Sequence, residues 1–408
     1  MAVYEKKYKY KITGPVQLEV YPDHGDFEVR TMGLPGLGAL GVTFGKYVAM
    51  DSPSGRPPGQ FHWASTLWHE FSHVYVLSMT NHRVPRWFTE GLAVYEETAA
   101  SGATDWGDRL DPPSIMAMKD KKLLGIADLD RGFIHPTYPE QVIVSYFQGG
   151  QVITFIAEKW GYDKVLAMIH DFADKKNTVE AIEQELKLKP EEFDAQFFPW
   201  IDAKYKKQVD GFENWQKELK LVNQKAKGKE WDDVIKEGTA IRDVYPDFVE
   251  TGNVYETLAK AYIAKEDKAK AMAELERYSA IGGRSPSALK QLAEWQTEAG
   301  KKREAAATLE RLNLIYLEDE GAHQMLAKLY TELKNPTGAI REYQAALAGG
   351  TLDQAGAHFG LAQAFQATNR QEDALDEVYN ALEAAPGYKP AQALLRELTA
   401  KQSGNVKE

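Results

Sequence analysis

The sequence predicts an α+β domain followed by an all-α array of repeated helices. Three observations predict it. Apolar and polar residues alternate through much of the first 50 positions; the period turns helical at Phe61 and stays so; and a 34-residue repeat fills the second half. A chain of 408 residues accommodates two or three domains. The expected division is 1–206 and 207–408.

The first 50 residues read as strands and turns. Residues 16–21 alternate, 22–26 carry Pro22, Asp23 and Gly25 as turn formers, and 27–32 alternate again. Residues 41–50 form a further strand candidate, and the N-terminus reads as a strand too. A Pro/Gly/Ser-rich loop follows at 51–60. Helical periodicity then predicts helices at 62–80, 86–100, 112–121, 139–160, 162–175, 178–187 and 190–206. Strands first and helices after is the order of an α+β domain.

The second half carries no strand signal. Tyr255, Leu258, Ala259 and Tyr262 precede Ala271 and Leu275. The pattern returns as Leu289, Leu292, Ala293, Ala305 and Leu309, then as His323, Leu326, Ala327, Tyr330, Ala339 and Tyr343. A fourth copy holds His358, Leu361, Ala362, Phe365, Ala374 and Val378. A weaker copy precedes them, with Leu221, Val222, Val234 and Ile241. Small residues at fixed places let two helices approach, and large ones fill the space between neighbours. This spacing resembles the tetratricopeptide repeat. Residues 390–401 read as a terminal capping helix. The resemblance implies a protein partner for the array, with variable surface residues choosing it.

Composition removes several functions. Forty-nine Lys+Arg against 60 Asp+Glu leave a net charge of −11, which lacks the basic footprint of a nucleic-acid binder. No apolar run reaches the ~18 residues needed to cross a membrane. Cysteine is absent, so disulfides, thiol catalysis and thiolate zinc sites are excluded together. The first residues carry no signal peptide; a periplasmic or secreted location is expected if the N-terminus is trimmed, and a cytoplasmic one otherwise.

The chemistry is concentrated in His69-Glu70-Phe71-Ser72-His73, an H-E-x-x-H with helix-compatible flanks. Residues i and i+4 share one helix face, so both imidazoles can reach one zinc ion at ~2.0–2.1 Å. Glu70 sits beside them, within reach of a water at that metal. A third ligand is readable in Glu90, on a second helix opened by Pro85 and flanked by Gly91 and Ala93, which allow close helix approach. Sixteen residues lie between His73 and Glu90, enough to finish one helix and return antiparallel.

These two stretches, the second being Pro85-Arg86-Trp87-Phe88-Thr89-Glu90-Gly91-Leu92-Ala93, resemble the gluzincin metallopeptidases, in particular their peptidase-MA-like members. The resemblance is strongest over residues 49–160. It implies a zincin-like fold with a twisted sheet above the metal helix, Zn2+ held by His69, His73 and Glu90, and Glu70 as general base. It implies hydrolysis of peptide bonds by a metal-activated water, with the repeats binding a protein partner or the substrate. An inactive zincin serving as a repeat scaffold is the alternative. Members of this group are often bacterial, secreted or periplasmic, and often carry such repeats. The oxyanion donor in gluzincins is a Tyr or His from a later helix; Tyr146 is the choice here, with Tyr138 and His135 as rivals. Thermolysin-like members place an Asp four residues after the Glu ligand, where this chain has Val94. The acceptor for the zinc histidines therefore comes from Glu96, Glu97 or a backbone carbonyl. Peptide substrates of this fold pair with a sheet edge, for which residues 38–42 are the candidate.

Other motifs fail on context. Gly36, Gly38 and Gly41 match a dinucleotide fingerprint, but a strand rather than a helix follows. Residues 41–47 fall one residue short of a phosphate loop, and no G-x-S-x-G occurs.

Overall fold

The computed structural model describes residues 1–33, 35, 36, 38–101 and 110–405. Most of the segment between residues 101 and 110 lies outside the described residues, as does Leu37 of the glycine run at 36–41. The chain packs as two compact units, Met1–Gly283 and Arg284–Glu408.

Unit 1 opens with α1 (Ala2–Tyr8), β1 (Gln17–Tyr21), α2 (His24–Met32), β2 (Gly41–Phe44) and β3 (Tyr47–Asp51). Two of these correct the sequence reading. The N-terminus is a helix, because Tyr4 and Tyr8, one turn apart, are the buried pair. Residues 27–32 are helical as well. Asp23 caps the N-terminus of α2 by accepting from the Asp26 N–H, and Gly33 ends it at φ 71. The apparent alternation was false: Phe27 is fully buried whereas Val29 is exposed.

The three strands form one mixed sheet in the order β1-β3-β2. β1 runs parallel to β3, with Gln17 opposite Tyr47, and β2 runs antiparallel to it, with Gly41 opposite Met50. A two-residue turn through Gly45, at φ 65, joins β2 to β3. The central strand buries Val48, Ala49 and Met50. The edge strand begins only at Gly41, later than the 38–42 expected.

Helices complete the unit: α3 (Trp63–Thr80), α4 (Arg86–Ser101), α5 (Pro112–Lys119), a short α6 (Arg131–Ile134), α7 (Gln141–Trp160), α8 (Tyr162–Ala173), α9 (Thr178–Leu186), α10 (Pro190–Gly228), α11 (Trp231–Arg242), α12 (Val254–Ala264) and α13 (Lys268–Ala280). The expected helices recur close to their sequence bounds except the last. The helix expected at 190–206 continues to Gly228, so the expected division after residue 206 falls inside α10.

Unit 2 holds α14 (Pro286–Glu298), α15 (Lys302–Asn313), α16 (Glu320–Glu332), α17 (Pro336–Ala348), α18 (Gln354–Ala367), α19 (Gln371–Ala384) and α20 (Lys389–Asn405). They pair as helical hairpins. Ala293, Ala327 and Ala362 of the first helices, and Ala305, Ala339 and Ala374 of the second, are fully buried in one continuous core. Gly300, Lys334 and Asn369 all take positive φ at the turn inside each hairpin, as Glu266 does between α12 and α13. A repeated left-handed turn at a repeated position makes the repeat one of backbone geometry as well as sequence. α20 buries Ala391, Leu394 and Leu398 in the same core.

Candidate metal centre

The H-E-x-x-H lies in the middle of α3. His62 caps this helix by accepting from the Ser65 N–H, and Asn81 ends it at φ 49. The buried tyrosines of α1 brace its outer side: the Tyr4 hydroxyl donates to the Trp68 carbonyl at 2.9 Å, and the Tyr8 and Ser72 hydroxyls lie 3.2 Å apart. α4 starts where the Trp87 N–H donates to Asp130 at 2.7 Å. Side-chain pairs across α3 and α4 run 65 with 97, 69 with 97, 69 with 90 and 73 with 89, so the helices are antiparallel as the linker length predicts.

A third helix closes the site. Gly91 of α4 meets Gly149 of α7 with no side chain between them; a Cβ on Gly91 would sit 2.5 Å from the Gly149 carbonyl carbon. The small residue beside Glu90 therefore serves the approach of α7, which carries Tyr146 one turn earlier.

The ligand atoms of His69, His73 and Glu90 lie within 4.8 Å of one another. The Glu90 Oε2 atom is 3.3 Å from His69 Nε2 and 3.2 Å from His73 Nε2. Tetrahedral bonds of ~2.0–2.2 Å to one metal put neighbouring ligand atoms about 3.3 Å apart. The N/N/O donor set suits zinc, and the two Glu90 distances match that spacing. Both Nδ1 atoms have hydrogen-bonding partners: His69 Nδ1 lies 2.7 Å from Glu97 Oε1, and His73 Nδ1 lies 2.8 Å from the Thr89 hydroxyl. Such partners fix the ring and leave Nε2 for the metal. Glu97 was among the candidates read from the sequence. Glu96 is engaged elsewhere, by Lys7, Tyr8 and Tyr162. Thr89 was missed; its place next to Glu90 on the ligand helix was the available signal.

Burial opposes charge on His69, yet Glu90 and Glu97 raise its pKa well above 6.5. Burial likewise opposes an ionised Glu90, yet the two imidazoles hold its carboxyl well below the usual carboxylate range. Each charge is thus stabilised by its opposite across the α3–α4 contact.

Glu70 is buried at the sheet side of α3 and meets β2. The Thr43 hydroxyl lies 2.7 Å from its Oε2 and 3.1 Å from its backbone oxygen. Tyr146 stands on the other side, its ring centroid 6.3 Å from that of His69 and 5.2 Å from that of Phe133. Burial, then the charge of Glu90, push its pKa up despite a hydrogen bond with Arg86, so it keeps its proton as a donor. Arg86 Nε also lies 3.5 Å from Glu90 Oε1. The rivals are elsewhere: Tyr138 sits beneath Lys122 with its hydroxyl unpaired, and His135 ends α6 exposed to solvent.

Residues 6–202 match the Peptidase MA superfamily. Among solved structures, the chain is similar to YrrB, described as a TPR protein with an unusual peptide-binding site, at 14% identity over 44% of this chain and 90% of that one, TM-score 0.34. It is similar to MamA at 18% identity over 42% and 91%, TM-score 0.32, and to residues 41 to the end of MamA from Desulfovibrio magneticus RS-1 at 15% over 37% and 84%, TM-score 0.32. No curated protein matches the chain. What is similar over the first half is a peptidase superfamily, and the two hydrogen-bonded imidazoles facing one carboxylate lie within that stretch. Among the described residues, no helix is long and apolar enough to cross a membrane.

Proposed function

We propose that the chain is a zinc-dependent metallopeptidase of the gluzincin kind, with a zincin-like domain at 1–206 and a tetratricopeptide-repeat domain at 207–408. The observation that carries the reading is the convergence of His69, His73 and Glu90, whose possible ligand atoms lie within 4.8 Å of one another, with both Nδ1 atoms held by α4. His69, His73 and Glu90 would hold the metal. Bound there, zinc supplies Lewis acidity toward a carbonyl and a water.

The chain's own groups do the rest. Glu70 accepts the proton of the attacking water as it adds to the scissile carbonyl. It then delivers that proton to the leaving amine, so the carboxylate is regenerated. Tyr146 donates a hydrogen bond to the developing oxyanion, a contribution of about 3 kcal/mol for one well-placed donor. The exposed side of β2 accepts the substrate backbone as a further strand. The repeat helices present an array for a protein partner or for the substrate itself.

Metal analysis and cleavage of a quenched-fluorescent peptide library test this. Near-stoichiometric zinc is expected, with Glu70→Gln retaining zinc and losing turnover. A zinc-loaded wild type that cleaves nothing sinks the peptidase reading in favour of a scaffold. Full zinc affinity in Glu90→Ala sinks the ligand set.

A further inference from the structure

We infer that Thr43, on the edge strand β2, is a positioning residue for Glu70 and orients its carboxylate for proton transfer. The inference rests on the peptidase reading and adds a residue that no motif identifies. Two contacts of β2 converge on one side chain. The Thr43 hydroxyl lies 2.7 Å from Glu70 Oε2. Gly41, two residues earlier and so on the same face of the strand, leaves the space that Glu70 occupies; a Cβ there would sit 2.8 Å from both Glu70 Cγ and Oε1. A carboxylate on a helix has three rotatable bonds. Here one oxygen is fixed by a donor and the rotamer by a bare backbone, so the second oxygen has a defined direction. The hydroxyl has one proton to give, and the carboxylate at 2.7 Å takes it in preference to the backbone oxygen at 3.1 Å.

The strand that holds the base is also the one expected to hold the substrate. Docking a peptide on β2 and aiming Glu70 are therefore coupled through one short element. A misplacement of about 1 Å at a reacting group costs up to about 100-fold in rate, so loss of one of two constraints is expected to cost about tenfold. The loss appears in kcat, since Thr43 reaches the substrate only through Glu70.

The test compares Thr43→Val, Thr43→Ser and wild type, each zinc-loaded and checked for equal zinc content. Valine keeps the shape and the strand preference but removes the donor. Thr43→Val is expected to lower kcat about tenfold on the best-cleaved library peptide with KM within about twofold, and Thr43→Ser to restore most of it. Acetohydroxamate affinity is the second readout: its proton needs the Glu70 carboxylate as acceptor, so Thr43→Val should weaken it about tenfold and Thr43→Ser should not. Equal hydroxamate affinity in wild type and Thr43→Val overturns the inference. So does a Thr43→Ser variant as impaired as Thr43→Val, because packing of β2 would then be the cause. If wild type binds the hydroxamate but cleaves no peptide, the peptidase reading fails while the affinity series still decides the role of Thr43.

Discussion

Gly91→Ala puts the helix approach under a direct load. The added methyl would stand 2.5 Å from the carbonyl carbon, 2.6 Å from the oxygen and 2.9 Å from the Cα of Gly149. All three are backbone atoms, so no side chain can swing away. Ordinary contact starts near 3.4 Å, and 3.4 − 2.5 leaves α4 and α7 to part by 0.9 Å. Overpacking of this kind costs about 1–3 kcal/mol, and a collision with backbone belongs at the upper end. Alanine returns up to about 1 kcal/mol of helix propensity. The net is about 2 kcal/mol, or a fall in Tm of about 4–8 °C for a unit of this size. Glu90 is the adjacent residue, and a shift of that size is nearly half a metal–oxygen bond of ~2.0–2.2 Å. Zinc should therefore bind at least about tenfold more weakly. Thermal unfolding followed by circular dichroism and zinc competition with a chelator measure both. Gly150→Ala is the control: its methyl meets Val94 Cγ1 at 2.7 Å, a side-chain atom that can move, so its effect should be smaller. A Gly91→Ala protein within 1 °C and twofold of wild type, or a Gly150→Ala protein equally damaged, would refute the idea that two bare backbones set the site.

Glu97→Ala should weaken zinc binding by about 10–100-fold while leaving all three ligands in place, measured by chelator competition. Lys7→Met should destabilise unit 1 by about 2–3 kcal/mol in urea unfolding, because Glu96, 1% exposed and 2.5 Å from Lys7 Nζ, would keep only tyrosine donors. In unit 2, His323 Nδ1 lies 2.7 Å from Glu342 Oε2. Burial opposes both charges, yet Glu342 raises the His323 pKa above 6.5, and His323 with Arg341 lowers that of Glu342 below 4.5. The histidine's contribution is full below 6.5 and fades as pH rises through its raised value; the glutamate's is full above 4.5 and fades on acidification. Amide exchange in α16 and α17 of the full chain should thus show greatest protection between these values, and His323→Gln should flatten the alkaline side.

The helices, and the approach of His69, His73 and Glu90 to one another, were legible because the helices rest on a strong period. His69, His73 and Glu90 follow from i, i+4 geometry and a linker of known reach. The N-terminal helices were not legible, because a run of seven or nine residues holds too few buried positions to separate a period of two from one of 3.6. Tyr4 with Tyr8 carried the helical signal, but Tyr8 with Tyr10 imitated a strand. In α2 the capping residues Asp23 and Gly33 spoke for a helix, but Asp23 was read as a turn former. The continuation of α10 past residue 206 was hidden for another reason. Its residues keep a helical pattern on both sides of 206, with no break in the backbone between Pro190 and Gly228.

The acceptor for His69 shows how packing moves a functional residue along a helix. Positions 90, 94 and 97 of α4 share one face, since 94 lies one turn and 97 two turns from the ligand. The nearer place was closed to a carboxylate. Val94 is 5% exposed and packs against Gly150, where α7 comes in. A charge there would be desolvated against a bare helix backbone with no partner. The next position on the stripe is not so confined. Glu97 reaches between Ser65 and His69, one turn apart on α3, with Oε2 2.6 Å from the Ser65 hydroxyl and Oε1 2.7 Å from His69 Nδ1. Both oxygens are satisfied, which is the condition for burying the charge. The requirement for an acceptor was readable from chemistry, whereas its place on α4 was set by the glycine contact that brings Tyr146 to the site. A Val94→Asp, Glu97→Ala double variant tests the order of cause: it should fail to recover zinc affinity unless α7 is also allowed to move away.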